Sequence, residues 1–212
     1  SAGFATPKLS PLKMGRNSRV FRVESSGSLA VLKVYYRHPR DTRNRLSAEF
    51  DFLNFLSRQG ILRVAQPIAR DDVRGLGLYS CLPGKPITRV EPLHVKQAAK
   101  FVILINNYRK EDGASSLPLA AESCVSVQDH LDIVTQRVSR LKTTVIDSGE
   151  SSEFQNFVDH YLSPALQNIS GQLEKTLSEA ETRQELSTDE LILSPSDFGF
   201  HNVLEHDGEL SF

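Results

Sequence analysis

The sequence predicts an α+β protein in which a small antiparallel sheet with one helix precedes a mainly helical part. Residues 19–23 alternate polar and apolar side chains, residues 25–28 form a turn around Gly27 and residues 30–36 are rich in β-formers, which predicts a β-hairpin. Large apolar residues between positions 46 and 56 recur at helical spacing, so one helix follows this hairpin. Beyond residue 92 the pattern is mainly helical, which favours a second, helical part of the chain.

In the first part, the spacing predicts two strands, then a helix, then two more strands. The helix ends at Gly60, and the polar turn 70–75 separates the last two strands. The predicted elements are strands at 19–23 and 30–36, a helix from Leu46 and strands at 64–69 and 77–81.

The second part begins at the segment Leu82-Pro83-Gly84-Lys85-Pro86, which we interpret as a hinge. Pro164 should kink or split the longest helical segment. Asp207-Gly208 predicts a tight terminal hairpin. The predicted elements are helices at 92–108, 127–145 and 153–185, a short strand at 191–193 and hairpin strands at 203–205 and 210–212.

Composition excludes several classes of protein. The 212 residues are 39% hydrophobic, and 25 basic against 26 acidic residues give a net charge of −1. This charge favours neither nucleic acid nor an anionic membrane as partner. No apolar run reaches the roughly 20 residues of a membrane-spanning helix, and the first ten residues lack a signal-peptide stretch, so we expect a cytoplasmic protein. Cys81 and Cys124 are too few for a disulfide framework.

Two charged residues interrupt faces that packing alone would make apolar. Lys33 lies between Val31 and Tyr35 on one face of the second hairpin strand. Glu49 follows Leu46 by three residues, which places its carboxylate on the buried stripe of the helix. A buried carboxylate requires a cationic partner, so we predict an ion pair between Lys33 and Glu49.

The loop Ser194-Pro195-Ser196-Asp197-Phe198-Gly199-Phe200-His201-Asn202 carries a carboxylate and an amide five positions apart. Phosphoryl transfer requires positive charge on the phosphates, a carboxylate that orients the attacking hydroxyl and oxygen ligands for magnesium. Lys33, Asp197 and Asn202 can supply these groups. We expect Asp197 and Asn202 to converge beneath residues 15–18.

In this order, the residues resemble the aminoglycoside-phosphotransferase and choline-kinase-like family. The resemblance extends over residues 15–212 and implies a two-lobed protein-kinase-like fold, with a small antiparallel-sheet N-lobe containing one helix and a mainly helical C-lobe. The motifs that carry it are Gly15-Arg16-Asn17-Ser18-Arg19-Val20-Phe21-Arg22-Val23, Val31-Leu32-Lys33-Val34-Tyr35, the hinge segment and residues 197–202.

The same resemblance implies a division into a nucleotide-binding lobe, residues 1–82, and a helical lobe with the catalytic loop, residues 83–212. It implies ATP or GTP with Mg²⁺ in the cleft and a small hydroxyl-bearing acceptor. Asp197 would be catalytic and Asn202 would bind the metal. The residues implied in nucleotide binding are Gly15, Arg16, Asn17, Ser18, Lys33, Glu49, Ser80, Cys81 and Leu82.

The chain departs from the family pattern at three places. Pro195 and Ser196 replace a histidine and a glycine before the catalytic aspartate, and Gly15 is the single glycine of the phosphate-covering turn. The family's second metal-binding aspartate is expected just beyond Phe212, and the chain as given should be impaired without it. A non-catalytic nucleotide-binding or scaffold protein is therefore the alternative function.

Each candidate also has an ordinary structural interpretation. Lys33 could extend from a sheet edge, and Glu49 could lie at the border of an amphipathic helix. Gly75-Leu76-Gly77 matches part of a dinucleotide fingerprint, but no helix follows, which favours a hairpin turn. Only the ordered set of residues favours a kinase. The acceptor and the oligomeric state stay open.

Overall fold

The computed structural model describes residues 6–14, 18–36, 44–120, 123–148, 152–195 and 198–212. The chain forms two units: residues 1–121 with 192–212, and residues 122–191. The predicted lobe boundary after residue 82 stays a prediction.

A five-stranded antiparallel sheet occupies the start of the first unit, in the order β1-β2-β3-β5-β4. Antiparallel neighbours can be joined by tight turns, and β2 and β3 pair from Ser25↔Ser28 outward. The strands are β1 (Lys8–Met14), β2 (Ser18–Ser25), β3 (Ser28–Tyr35), β4 (Pro67–Asp71) and β5 (Leu76–Ser80).

The predicted β2–β3 hairpin is confirmed. Ser26 and Gly27 have φ values of 47° and 79°, the positive pair that a two-residue type I′ turn requires. The sequence analysis placed no strand before residue 15, and this was wrong, because β1 pairs with β2. A register shift between Pro11 and Lys13 obscures the alternation, and proline is tolerated on such an edge strand.

The predicted helix is α1 (Arg45–Arg58). Its first turn is capped by Asn44, whose side chain accepts a hydrogen bond of 3.0 Å from the backbone N–H of Ser47. Gly60, with φ 73°, ends the helical path. Strand β4 begins three residues later than predicted, since the side chain of Gln66 holds residues 61–66 in a loop by donating to the carbonyls of Ile61 and Val64.

The rest of the first unit contains α2 (Pro92–Asn106) and a three-stranded sheet in the order β6-β7-β8. Its strands are β6 (Lys85–Pro86), β7 (Leu204–His206) and β8 (Glu209–Ser211). The predicted terminal hairpin is confirmed, with positive φ at Asp207 and Gly208. The strand predicted at 191–193 is wrong, because the backbone N–H and C=O of Leu193 pair instead with the side chain of Asn106.

The second unit is helical, with α3 (Val127–Ser148), α4 (Ser152–Phe157), α5 (Ser163–Thr176) and α6 (Glu179–Arg183). A π-helical turn, Val158–Leu162, joins α4 to α5 directly before Pro164. The proline therefore interrupts the helix as predicted, and the hydroxyl of Ser163 satisfies the carbonyl of Val158 at 2.7 Å. Among the described residues, no helix combines the length and the hydropathy that a bilayer crossing requires.

One apolar core connects α1 and α2 within the first unit. Phe55 and Leu56 from α1 pack with Phe101 and Ile105 from α2 and with Leu193. Because α1 also contacts β4 and β5, this core fixes the helix between the five-stranded sheet and α2. The α+β class is confirmed, and α1 lies where Glu49 can meet the sheet.

Candidate functional site

The predicted ion pair between Lys33 and Glu49 is confirmed. Lys33 Nζ lies 2.7 Å from Oε1 and 2.6 Å from Oε2 of Glu49. Strand β3 supplies the lysine and α1 the glutamate, and the two side chains are 26% and 36% exposed. The ammonium is thus held by both carboxylate oxygens, while part of the lysine side chain faces solvent.

Aromatic side chains surround this ion pair on the same face of the sheet. Lys33 Nζ lies 5.3 Å from the ring centroid of Tyr35, within the range of a cation–π contact. The hydroxyls of Tyr35 and Tyr79 are 2.8 Å apart, and Phe50 of α1 packs on Tyr79 with ring centroids 5.9 Å apart. Burial, and then the charge of Glu49, raise the pKa of both tyrosine hydroxyls, so both stay protonated at neutral pH.

A second ion pair orients α1. Arg70 Nη1 of β4 lies 2.7 Å from Asp51 Oδ1, and the hydroxyl of Ser47 donates to Asp51 Oδ2 at 2.7 Å. The guanidinium of Arg70 also lies 5.3 Å from the ring centroid of Phe50. These contacts limit rotation of α1 about its axis and so keep Glu49 directed at β3.

The predicted adenine-binding segment starts on the strand beside Lys33. Strand β5 places Gly77 opposite Lys33 and Ser80 opposite Ala30. The N–H of Ser80 donates to Gln66 O, and its hydroxyl accepts from Gln66 N, both at 2.8 Å. These two groups are therefore engaged within the protein. Cys81 and Leu82 follow as half-buried residues outside the strand.

Gly84 attaches this segment to the terminal hairpin. Its φ of 113° lies in the region that favours glycine, and an added Cβ would stand 2.5 Å from the carbonyl oxygen of Glu205. Lys85 then pairs with Glu205 through β6 and β7. A side chain at position 84 would push these two segments apart.

Several predicted site residues lie outside the described residues: Asp197 and the turn Gly15-Arg16-Asn17. Ser18 is described as the first residue of β2 and is half-buried. Asn202 ends a single 3₁₀ turn, in which its N–H donates to Gly199 O at 2.9 Å. The convergence of Asp197 and Asn202 beneath residues 15–18 stays a prediction, because Asp197 and residues 15–17 lie outside the described residues.

The residues that hold the terminal hairpin were not predicted from the sequence. Gln97 of α2 donates from Nε2 to Gly208 O and accepts at Oε1 from Leu210 N, both at 2.8 Å. Its neighbour on α2, the buried His94, directs Nε2 toward Glu205 Oε1 at 3.6 Å. The sequence signal that could have identified Gln97 is a polar residue next to the buried positions of an amphipathic helix, the same signal that identified Glu49.

Stacked phenylalanines also link this hairpin to α2. The ring of Phe101 lies 4.3 Å from that of Phe212, and Phe212 lies 5.2 Å from Phe198, measured between centroids. Phe198 directly follows Asp197 in the sequence. The residue after the predicted catalytic aspartate is thus packed against α2.

No group of three or more histidine, cysteine or acidic side chains that could hold a metal ion occurs within the part of the chain that is described. Of the predicted metal and catalytic residues, only Asn202 belongs to that part. Its amide oxygen is a ligand type that magnesium accepts.

Comparison with known proteins relates about half of the chain to one enzyme family. A profile of the APH phosphotransferase enzyme family matches residues 8–116, just over half of the chain. A search of curated protein sequences found no significant match. The matched region contains the complete five-stranded sheet, α1 and α2.

Solved kinase structures share the fold. A choline kinase from Cryptosporidium parvum Iowa II aligns with a TM-score of 0.58 at 12% identity, covering 97% of this chain and 57% of the kinase. A spectinomycin phosphotransferase solved with ADP and spectinomycin aligns with a TM-score of 0.57 at 15% identity, covering 98% of this chain and 62% of the enzyme. A Plasmodium vivax ethanolamine kinase aligns with a TM-score of 0.55 at 11% identity, covering 99% of this chain and 56% of the kinase.

The chain spans roughly three fifths of the length of these structures, and their low identities establish the fold alone. The predicted α+β, two-lobed, kinase-like fold is confirmed. Together with the family profile, it identifies this chain as a member of the phosphotransferase enzyme family.

Proposed function

We propose that the protein transfers the γ-phosphoryl group of a nucleoside triphosphate to a hydroxyl of a small polar molecule, and that Lys33 binds the phosphates. Family membership supports the reaction class. The ion pair between Lys33 and Glu49 is the observation that carries the proposal for this chain.

The geometry of the pair suits phosphate binding. A lysine ammonium has three N–H donors, and the two oxygens of Glu49 engage two of them at 2.7 and 2.6 Å. The remaining donor and the exposed part of the side chain are available to a phosphate oxygen. Glu49 holds the lysine side chain extended, so little ordering cost remains when the nucleotide binds.

In the proposed reaction, the acceptor hydroxyl oxygen attacks the γ-phosphorus while the bond to the bridging oxygen of the nucleoside diphosphate breaks. Asp197 receives the hydroxyl proton, and Lys33 stabilises the negative charge on the phosphate oxygens. Asn202 would hold Mg²⁺, which, when bound, neutralises charge on the β- and γ-phosphates. Ser80, Cys81 and Leu82 would contact the adenine, and Gly15, Arg16, Asn17 and Ser18 would cover the phosphates.

The acceptor is proposed only as a class: an aminoglycoside, an amino alcohol or a sugar. Acidic residues of the second unit could attract a cationic acceptor, but two of them already serve α3. Asp129 accepts from the backbone N–H groups of Val125 and Ser126, which caps this helix, and Asp132 accepts from Gln128. The choice of ATP or GTP, and the cytoplasmic location, remain predictions.

Nucleotide binding by this chain tests the proposal. We expect ATP to raise the melting temperature, and Lys33→Met to weaken the apparent affinity about tenfold or more, since it removes a charge-assisted hydrogen bond. Lys8→Met is the matched control, because Lys8 is exposed on the edge strand β1. Equal ATP affinity in both variants would remove Lys33 from the phosphate site.

Turnover by the full-length protein separates an enzyme from a scaffold. Asp197→Asn should lower kcat about a hundredfold or more with little change in nucleotide affinity, as expected for a general base. Nucleotide binding without consumption of ATP, across a panel of aminoglycosides, amino alcohols and sugars, would favour the non-catalytic alternative.

A further inference from the structure

The hydroxyls of Tyr35 and Tyr79 form a buried pair beside the candidate phosphate-binding lysine. Tyr35 is 8% and Tyr79 2% exposed, and their oxygens are 2.8 Å apart. The residues lie on neighbouring strands β3 and β5, on the face that also carries Lys33. Neither residue belongs to the predicted nucleotide-binding set.

Hydrogen-bond accounting connects this pair to Glu49. Two hydroxyls carry two hydrogens, and the contact between them uses one, so the other needs a second acceptor. Water has little access to these buried oxygens, and buried polar hydrogens are nearly always bonded. Glu49 is placed to be this acceptor, because its carboxylate lies 2.6 Å from Lys33 Nζ, which itself lies 5.3 Å from the ring centroid of Tyr35. Hydrogen bonding with Glu49 is also one cause of the raised pKa of Tyr35.

The ion pair needs such support. Half-exposed ion pairs contribute only about 0–1 kcal/mol, because solvent screens them and two long side chains must be ordered. Lys33 and Glu49 are 26% and 36% exposed, so their attraction alone would hold them loosely. The ring of Tyr35 lies against the ammonium, and the hydroxyl of Tyr35 is held by that of Tyr79, so Lys33 meets a rigid, buried surface.

Gly77 makes room for this arrangement. It lies opposite Lys33 in the register of β3 and β5, and a Cβ there would stand 2.6 Å from the hydroxyl oxygen of Tyr79. The ring of Tyr79 therefore occupies the space that a side chain at position 77 would take. Because Gly77 has no side chain, the hydroxyl of Tyr79 can reach the hydroxyl of Tyr35.

We propose that Tyr35 and Tyr79 are positioning residues, whose hydroxyl pair fixes Glu49 and, through it, the ammonium of Lys33. The positioning of Lys33 can be tested without a nucleotide. Its consequence for nucleotide binding rests on the proposed function.

The test measures acylation of Lys33 by an amine-reactive ester, quantified by mass spectrometry against the exposed Lys85. We expect Tyr35→Phe and Tyr79→Phe each to raise the labelling rate of Lys33 about threefold, the ratio that a hydrogen bond of about 0.7 kcal/mol represents. Tyr36→Phe is the matched control, since it removes an exposed hydroxyl that accepts from Arg19 at 2.9 Å and belongs to the residue directly after the same strand. Lys33 labelling that stays at the wild-type rate in both variants would overturn the proposal.

The double variant Tyr35→Phe/Tyr79→Phe separates positioning from folding. Replacing both partners of a buried hydrogen bond by apolar groups is nearly neutral for stability. We therefore expect a wild-type melting temperature together with raised Lys33 labelling. A double variant that regains both the wild-type stability and the wild-type labelling rate would show a structural role alone and contradict the proposal.

ATP titration adds the functional consequence. We expect the double variant to bind ATP about threefold more weakly in the wild-type background and with no further loss in the Glu49→Gln background, because the hydroxyls act through Glu49. Equal losses in both backgrounds would contradict action through Glu49. If the wild-type chain binds no nucleotide, the proposed function fails, while the labelling result still decides whether the tyrosines position Lys33.

Discussion

The Lys33–Glu49 pair on the five-stranded sheet and the terminal hairpin β7–β8 are held by different kinds of contact. On the five-stranded sheet, Lys33 and Glu49 meet as charged side chains, with buried aromatic residues beneath them. At the terminal hairpin, the neutral amide of Gln97 bonds directly to the backbone of Gly208 and Leu210. A charged group must remain partly hydrated to act on a phosphate, so its orientation depends on the side chains packed around it. A hairpin that supports a loop carries no such charge, so direct hydrogen bonds to its backbone can fix it.

This difference predicts that changes near Lys33 alter the reactivity and phosphate binding of this lysine, and that changes near the hairpin lower stability without altering Lys33. Four substitutions or conditions test it, beginning with the largest expected effect.

Phe101→Ala should destabilise the first unit by about 3–5 kcal/mol, because it removes a buried ring and leaves a cavity. Phe101 is 3% exposed and stacks on Phe212. Urea unfolding measures the loss, and Phe157→Ala, at a ring that is 50% exposed in the second unit, is the control. A loss below about 1 kcal/mol would mean that the stack contributes little to the hairpin side.

Gly77→Ala should cost about 1–3 kcal/mol, since its Cβ overlaps the hydroxyl end of Tyr79 and forces the ring away from Tyr35. Because this movement separates Tyr79 from Tyr35, we also expect faster labelling of Lys33. Gly171→Ala, on α5 with open space at the added Cβ, is the control and should not destabilise the protein. Unchanged stability and labelling in Gly77→Ala would contradict the packing described for Tyr79.

Gln97→Leu should cost about 1–2 kcal/mol, because two backbone groups of the hairpin lose their partner while remaining partly accessible to water. Hydrogen exchange should accelerate at Leu210, whose N–H donates to Gln97, and Lys33 labelling should not change. Gln172→Leu is the control, since the side chain of Gln172 donates to Asn168 Oδ1 on the exposed side of α5. Faster labelling of Lys33 in Gln97→Leu would show that the two halves are coupled.

The smallest effect is expected at high pH. Burial raises the pKa of Tyr35 and Tyr79 above the ordinary value of about 10, so the folded state keeps protons that the unfolded state loses. Their contribution to stability is therefore complete below about pH 10 and declines above it, by about 1.4 kcal/mol per pH unit for each tyrosine. Tyr35→Phe should make the decline shallower, whereas Tyr161→Phe, at a side chain 65% exposed, should not. Urea unfolding at pH 9.5 and 10.5 measures the slopes, and identical slopes would contradict the raised pKa values.

Much of the first unit could be predicted because its signals are local. Ser26-Gly27 and Asp207-Gly208 adopt the positive φ angles that tight hairpins need, and this depends on only two residues each. Lys33 and Glu49 were identified because each interrupts an apolar face, and opposite charges on such faces tend to pair. The positions of Asp197 and of residues 15–17 remain predictions.

The sequence alone indicated strands β2 to β5, the helices α1 to α3, both tight hairpins and the ion pair, since periodicity and turn chemistry act over a few residues. It did not indicate β1 or β6. Only the tertiary structure decided which distant residues share a hydrogen bond. Tyr35 and Tyr79 are 44 residues apart, and Gln97 and Leu210 are 113 apart, so no local pattern joins them. Leu193 likewise pairs with the side chain of Asn106 instead of joining a strand, because packing of the core brings an amide to its backbone. Such contacts depend on how the elements pack, and buried polar groups then take the partners that this packing places within reach.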